Sequence, residues 1–257
     1  MKINTQTARA GSFGTAAAAY DRGRPPYPAE AIDWLLPPQA QRILDLGAGT
    51  GKLTVDLHRR GLDVVAVEPS DGMREQLSRV LPDVPALAGT AERIPLDDDS
   101  LDAVLVAQAW HWVNTAQALP EVARVLAPGG QLGLLWSNVR DARVDWLVEL
   151  ERIVGGPGSE PSAGAGRVDE VEDGVAAAES FFGLVERHTA EWNYRLTHDM
   201  LVDLVVSRSR FITLPEAQQS ALLAEVRSLL DTHPALAGTD EIVMPYVTEC
   251  FRARWEG

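Results

Sequence analysis

The residues best suited to chemistry gather around one turn. Asp45-Leu46-Gly47-Ala48-Gly49-Thr50-Gly51 follows the apolar run Ile43–Leu46 directly and precedes a helical pattern over Leu53–Arg60. Glycines in such a place let the chain turn sharply and let a ligand approach the free amides at a helix N-terminus. Glu68 closes the next apolar run, Val64–Val67. A carboxylate there can accept hydrogen bonds from both hydroxyls of a ribose, although a solvated strand-end glutamate would explain it equally well. His111 stands in Ala109-Trp110-His111-Trp112, just beyond the apolar run Leu101–Ala107. An imidazole titrates near ~6.5, so it can accept a proton at neutral pH. Three roles stay open for His111: general base, pocket wall, or a structural histidine wedged between tryptophans. Trp110 and Trp112 suit a pocket wall that shields a cation, since aromatic faces attract positive charge.

Three nucleotide chemistries compete for the turn. A phosphate-cradling loop needs glycine five residues before Gly51 and Ser or Thr after the lysine, but Leu46 and Leu53 stand there. A dinucleotide fingerprint needs a third glycine where Lys52 sits. The remaining ligand is S-adenosyl-L-methionine (SAM), whose methionine end carries an ammonium and a carboxylate. Asp45 suits an ammonium and would be awkward beside a pyrophosphate. A tight turn that binds nothing is the plain alternative.

The elements that must carry these residues alternate regularly. Helices are expected at Ala29–Leu36, Leu53–Arg60 and from an N-cap at Ser70 to about Leu81. Strands are expected at Ile43–Leu46, Val64–Val67, Val84–Ala88, Leu101–Ala107 and Leu132–Trp136, the fourth almost wholly apolar, as for a strand covered on both faces. Pro120 fits the first turn of a helix reaching Leu126, which Pro128-Gly129-Gly130 would stop. Five alternations of strand and helix make a parallel sheet with helices on both faces. In such sheets ligands bind beyond the carboxyl ends of the strands, which is where the turn, Glu68 and His111 fall. Further on, a helix is expected around Trp146–Val154, a mobile insertion near 155–174, and a long strand at Leu184–Leu196. Two helices, His198–Ser207 and Glu216–Leu230, and a last strand at Tyr246–Trp255 complete the reading. The chain reads as residues 1–40, an N-terminal extension, followed by one domain over 41–257.

Several ordered segments resemble one family. Ile43–Thr54, Val67-Glu68-Pro69-Ser70-Asp71-Gly72-Met73, Gly89-Thr90-Ala91-Glu92-Arg93-Ile94-Pro95-Leu96, Asp99–Val104 and Glu121–Gly130 are similar to successive motifs of the class I SAM-dependent methyltransferases. More narrowly, they resemble the type 11 small-molecule group that includes trans-aconitate methyltransferase. The resemblance implies a Rossmann-like, seven-stranded, mostly parallel sheet ordered 3-2-1-4-5-7-6, with the last strand antiparallel. It implies SAM as cofactor, with Asp45, Gly47, Gly49, Thr50 and Gly51 at the methionine end and Glu68 with Pro69 at the ribose. Ala91 and Glu92 would meet the adenine edge, and Gln108 would lie near the sulfonium. Tyr20, Arg22 and Arg24 lie in a stretch similar to the family's N-terminal lid, from which Tyr20 and Arg24 would reach the cofactor; plain solvent exposure competes for the arginines. The activity implied is direct, in-line methyl transfer to a small-molecule acceptor. A carboxylate acceptor would need no base, whereas a hydroxyl or amine would call on His111.

Composition bounds the rest. The 257 residues carry 37 Asp and Glu against 23 Lys and Arg, a net charge of −14, which opposes phosphate backbones and anionic lipid surfaces. Neither nucleic acid nor membrane is therefore an expected partner. Trp192, Tyr194, Arg208 and Arg210 are candidate substrate contacts; if either arginine faces the pocket, it favours a small anionic acceptor. Cys250 is the single cysteine, so no internal disulfide or cysteine-built zinc site is expected. No histidine spacing suggests a metal, and no start signal or ~20-residue apolar span appears, so a cytoplasmic setting is expected. Two other functions stay open at this level: a SAM-binding regulatory protein without catalysis, and an NAD-dependent oxidoreductase.

Overall fold

A computed structural model describes residues 23–139, 144–156 and 165–257. In chain order the elements are α1 (Ala29–Leu35), β1 (Arg42–Leu46), α2 (Lys52–Arg59), β2 (Asp63–Val67), α3 (Asp71–Val80), β3 (Ala86–Leu87) and β4 (Leu101–Ala107). A single 3-10 turn, Trp110–Trp112, leads into α4 (Thr115–Val125) and β5 (Leu126–Val139). Then come α5 (Asp145–Gly155), α6 (Ala165–Phe182), β6 (Val185–Leu196), α7 (His198–Val206), α8 (Ser209–Thr213), α9 (Glu216–Thr232) and β7 (Ile242–Arg254). The strands form one seven-stranded sheet ordered β3-β2-β1-β4-β5-β7-β6. The β1–β2, β1–β4, β2–β3 and β4–β5 pairs are parallel.

The chain divides into two compact units, one of Pro26–Ser137, Gly166–Ala190 and Thr248–Gly257, the other of Met1–Pro25, Asn138–Ala165 and Glu191–Val247. In the first, successive side chains of the strands feed opposite faces. Leu44, Val104 and Val106 join one core with Trp110, Leu119, Val122 and Trp136. Ile43, Ala103 and Leu105 join the other with Ile32, Leu35, Leu53 and Leu57. The glycine turn thus follows directly from a strand whose apolar side chains are buried on both faces. The second unit has its own core, in which α5, α7 and α9 supply Leu150, Leu204, Val226 and Leu229.

Helix α1 is part of the core, with Ala31, Ile32 and Leu35 fully buried. Three expectations need correcting. Helix α4 begins at Thr115, which puts Pro120 in its interior; the first turn closes on the Asn114 carbonyl, which accepts from the amides of Gln117 and Ala118. Pro128-Gly129-Gly130 does not end a segment but lies within β5: the Gly129 amide donates to Trp255 at 2.7 Å, and the Trp255 amide donates to Gly130 at 2.7 Å. Residues 165–174 of the expected insertion are helical, as the start of α6, while 157–164 lie outside the described residues. No helix among the described residues is long and apolar enough to cross a membrane.

Candidate functional site

The turn between β1 and α2 is tied to the end of β2. The amides of Gly47 and Ala48 both donate to the Val67 carbonyl, at 2.8 and 3.2 Å. Gly47 has a φ of +72°, and a Cβ there would lie 2.8 Å from the Cβ of Ala109, so only glycine fits. Gly49, at φ +58°, is the opposite case: a Cβ would meet nothing within 4 Å. One glycine closes the turn against the protein, and the other leaves it open on the outside. Thr50 beside it is buried, and Gly51 is the N-cap of α2.

Two carboxylates organise this turn. Glu68 is 8% exposed; its Oε2 accepts the Gly49 amide at 3.0 Å, and its Oε1 accepts the Ser70 amide at 2.8 Å. Burial raises its pKa above the ordinary carboxylate range, against the pull of those two amides and the Arg74 charge. Ser70 is thus the N-cap of α3 by position, with no side-chain capping bond of its own. Pro69 between them is exposed.

Asp45 is 1% exposed on β1, and its Oδ2 accepts the Thr54 hydroxyl at 2.6 Å. Its Oδ1 is buried with no hydrogen-bond partner. Burial pushes its pKa up from 3.8 to about 7; hydrogen bonds from the hydroxyl and amide of Thr54 oppose the shift, and the nearby Glu68 charge adds to it. A buried acceptor left unmade costs about 1–3 kcal/mol. That orphan oxygen fits a cationic donor such as the ammonium of SAM. The open side of Gly49 and the Glu68 carboxylate fit the rest of such a ligand.

Gln108 leaves β4 in the left-handed region, at φ +59°. Its Nε2 donates to the Ser137 carbonyl at 2.7 Å, and its Oε1 is a second buried acceptor without a partner. Ala91, between the bridged residues Thr90 and Arg93, is buried. Glu92 is engaged locally, its Oε1 accepting the Asn114 amide at 2.8 Å ahead of α4. His111 lies half-buried on the 3-10 turn, its ring 4.7 Å from that of Trp112, and its Nδ1 accepts the Trp136 indole proton at a long 3.5 Å. Trp112 is 37% exposed. Trp110 corrects an expectation: at 1% exposed, it belongs to the core, with its indole donating to the Gly174 carbonyl at 3.4 Å, so it offers no wall to a substrate.

The other candidates belong to the second unit, and Tyr20 and Arg22 lie outside the described residues. Trp192 and Tyr194, on one face of β6, pack with Tyr246 of β7, with ring centroids 5.2 to 6.3 Å apart. Arg24 and Arg208 lower the pKa of the Tyr246 phenol, yet burial still holds it at about 12. Arg208 is not waiting for an acidic ligand: its two terminal nitrogens grip Glu151, at 2.7 and 3.1 Å. Arg210 donates to the Gly155 carbonyl at the end of α5. Both arginines thus have partners within this unit. No group of His, Cys, Asp or Glu among the described residues is arranged to hold a metal ion.

No motif points to Thr54, the buried partner of Asp45. Its signal was a hydroxyl on the same helix face as Leu53 and Leu57, where full burial demands a partner.

Comparison with known proteins gives the arrangement its context. Residues 44–134 match the family model described as a methyltransferase domain. The chain is 57% identical over 242 residues to an uncharacterized methyltransferase of Mycobacterium bovis, covering 94% of this chain and 95% of that one. It is 34% identical over 253 residues to an uncharacterized methyltransferase-like protein of Schizosaccharomyces pombe, covering 95% and 96%. Among solved structures, a proposed type II methyltransferase of Anaeromyxobacter dehalogenans superposes with a TM-score of 0.62 at 22% identity, covering 90% of this chain and 97% of that one. Fold, glycine turn and near-full-length relatives agree, and the chain belongs to the class I SAM-dependent methyltransferase family.

Proposed function

We propose that this methyltransferase acts on a small-molecule acceptor by direct, in-line transfer, with Asp45, Gly47, Gly49, Thr50, Gly51, Glu68, Pro69, Ala91, Glu92 and Gln108 forming its cofactor site. The observation that carries the reading is the buried Asp45 Oδ1, an acceptor without a partner beside an open glycine turn. When bound, SAM supplies a methyl group on a positively charged sulfur, so the electrophile is the cofactor's own. What the chain contributes is binding, alignment and exclusion of water. Asp45 takes the ammonium, and Glu68 takes the ribose hydroxyls. The Gln108 Oε1, fixed through Nε2 to Ser137, accepts a hydrogen bond near the reacting end.

For His111 the Trp136 contact favours hydrogen-bond donation over proton abstraction. A neutral imidazole whose Nδ1 accepts an indole proton carries its own proton on Nε2, and a protonated nitrogen cannot accept another. Trp112, half-open beside it, suits an acceptor contact, and Trp192 and Tyr194 suit the same role in their unit. Engagement of Arg208 and Arg210 within the protein removes the main reason to expect an anionic acceptor. The acidic exterior still argues against nucleic-acid and membrane partners, and we place the enzyme in the cytoplasm.

The test is label transfer. Methyl-labelled SAM is incubated with the enzyme and a panel of small carboxylic acids, phenols and amines, and products are separated by mass. Label on a small molecule, lost in Glu68→Ala, supports the reading. Label only on protein or nucleic acid overturns it. With the acceptor in hand, His111→Gln should keep most turnover if the side chain donates, and should abolish it if the imidazole removes a proton.

A further inference from the structure

Helix α2 starts without a side-chain cap, because its N-cap is Gly51. Its first amides therefore need an acceptor from elsewhere. Asp45, nine residues before Thr54 and on the neighbouring strand, is anchored to this first turn: its Oδ2 accepts the Thr54 hydroxyl at 2.6 Å. Thr54, the third residue of the helix, is 0% exposed, so its hydroxyl has no water to fall back on. The pair is buried on both sides, and one oxygen is spent. Oδ2 is committed to Thr54, and Oδ1 is not committed to any protein group.

We infer that Thr54 is a positioning residue of the cofactor site: its hydroxyl fixes the Asp45 carboxylate with Oδ1 free for an ammonium and favours the ionised form that an ammonium requires. This rests on the reading that Asp45 receives the ammonium of SAM. The physical conflict at Asp45 makes the hydroxyl matter. Burial favours the neutral acid, whose proton would occupy or weaken the very oxygen that should pair with a cation. Glu68, carrying charge of the same sign, pushes in the same direction. Other ionisable groups on the packed elements are engaged with different partners. Asp102 of β4 accepts the amides of Gln41 and Arg42, and Asp56 of α2 is flanked by Arg60, Arg59 and Lys52. Thr54 and the N-terminus of α2 are what oppose the neutral form. The hydroxyl is thus a contact to the protein whose benefit is realised at the ligand.

Equilibrium binding of two ligands across a range of pH tests this. S-adenosylhomocysteine carries the ammonium, whereas 5′-methylthioadenosine carries the adenosine without ammonium or carboxylate. For the unaltered protein, S-adenosylhomocysteine should bind more tightly as pH rises through about 7, where Asp45 loses its proton. Thr54→Val keeps the side-chain shape and removes the donor. It should move that rise to higher pH and weaken binding at neutral pH by about tenfold or more. Thr54→Ser should restore both, and methylthioadenosine affinity should change in neither variant. In an Asp45→Asn background, Thr54→Val should have no further effect on S-adenosylhomocysteine.

Unchanged affinity and an unmoved pH profile in Thr54→Val overturn the inference. So does an equal loss for both ligands, which marks a general structural role. If Thr54→Val fails to fold, Thr54→Ala is read by the same comparison. Asp45→Asn separates the two levels of the argument: if it leaves S-adenosylhomocysteine binding intact at every pH, the ammonium reading itself fails.

Discussion

Glu68 reaches back across the glycine turn to Gly49, accepting its amide at 3.0 Å on one carboxylate oxygen while the other accepts the Ser70 amide at 2.8 Å. One side chain therefore connects the turn after β1 to the start of α3. A ligand that takes hydrogen bonds from Glu68 is recognised by a group already oriented by two backbone amides. This is preorganisation, and it costs nothing further when the ligand arrives.

Glu68→Gln should show how much of that depends on charge. The amide keeps one acceptor, loses the second, and brings a donor to an amide-rich place. S-adenosylhomocysteine affinity, measured by calorimetry, should fall about tenfold or more, and further in Glu68→Ala. Unchanged affinity in both variants would remove Glu68 from the site.

At Gly49 stability and binding should separate. Gly49→Ala meets no protein atom, so its cost is that of a left-handed residue, roughly 1–2 kcal/mol in urea unfolding. Cofactor affinity should fall by more than this strain explains, because the new methyl group occupies the open side. A variant that is less stable but binds normally would show that the open side faces only solvent.

Asp45 sets a pH dependence of stability with a definite sign. Its folded pKa, about 7, lies above the ordinary 3.8, so the folded protein holds a proton that the unfolded chain releases. The stability it contributes is complete below about pH 4, declines as pH rises to about 7, and is level above that. Within the window the slope is at most about 1.4 kcal/mol per pH unit. The difference in melting temperature between Asp45→Asn and the unaltered protein should therefore grow in favour of the variant from pH 4 to 7. A constant difference would mean that Asp45 is not raised. The raised Glu68 acts in the same direction, and it is common to both proteins in the comparison.

The Arg208–Glu151 fork predicts a structural phenotype. The pair is bidentate, with side chains 23% and 27% exposed, so Arg208→Met or Glu151→Gln should cost about 1–3 kcal/mol in urea unfolding. Arg208→Lys should not rescue it, since a point charge cannot grip both carboxylate oxygens. Full stability in Arg208→Met would return that arginine to the list of acceptor contacts.

Much of this was legible in the residues themselves. The apolar run Leu101–Ala107 coincides with β4, because a strand covered on both faces must be apolar at nearly every position. The location of the glycine turn was legible too, since a chain that bends at φ +72° against Ala109, as at Gly47, has no substitute for glycine. Pairings across the chain were another matter. Trp110 and Trp112 stand two residues apart at one strand end, yet one is core and the other is 37% exposed, because a 3-10 turn sends their side chains in different directions. Nothing local pairs Arg208 with Glu151, which lies 57 residues away and is gripped at both carboxylate oxygens in the fold. Motif spacing identified Asp45, but the direction of its carboxylate, with one oxygen on Thr54 and one left over, was decided by the packing of α2 against β1. Local sequence sets residue type and backbone turn; only the fold chooses each polar group's partner, because burial removes water as the alternative.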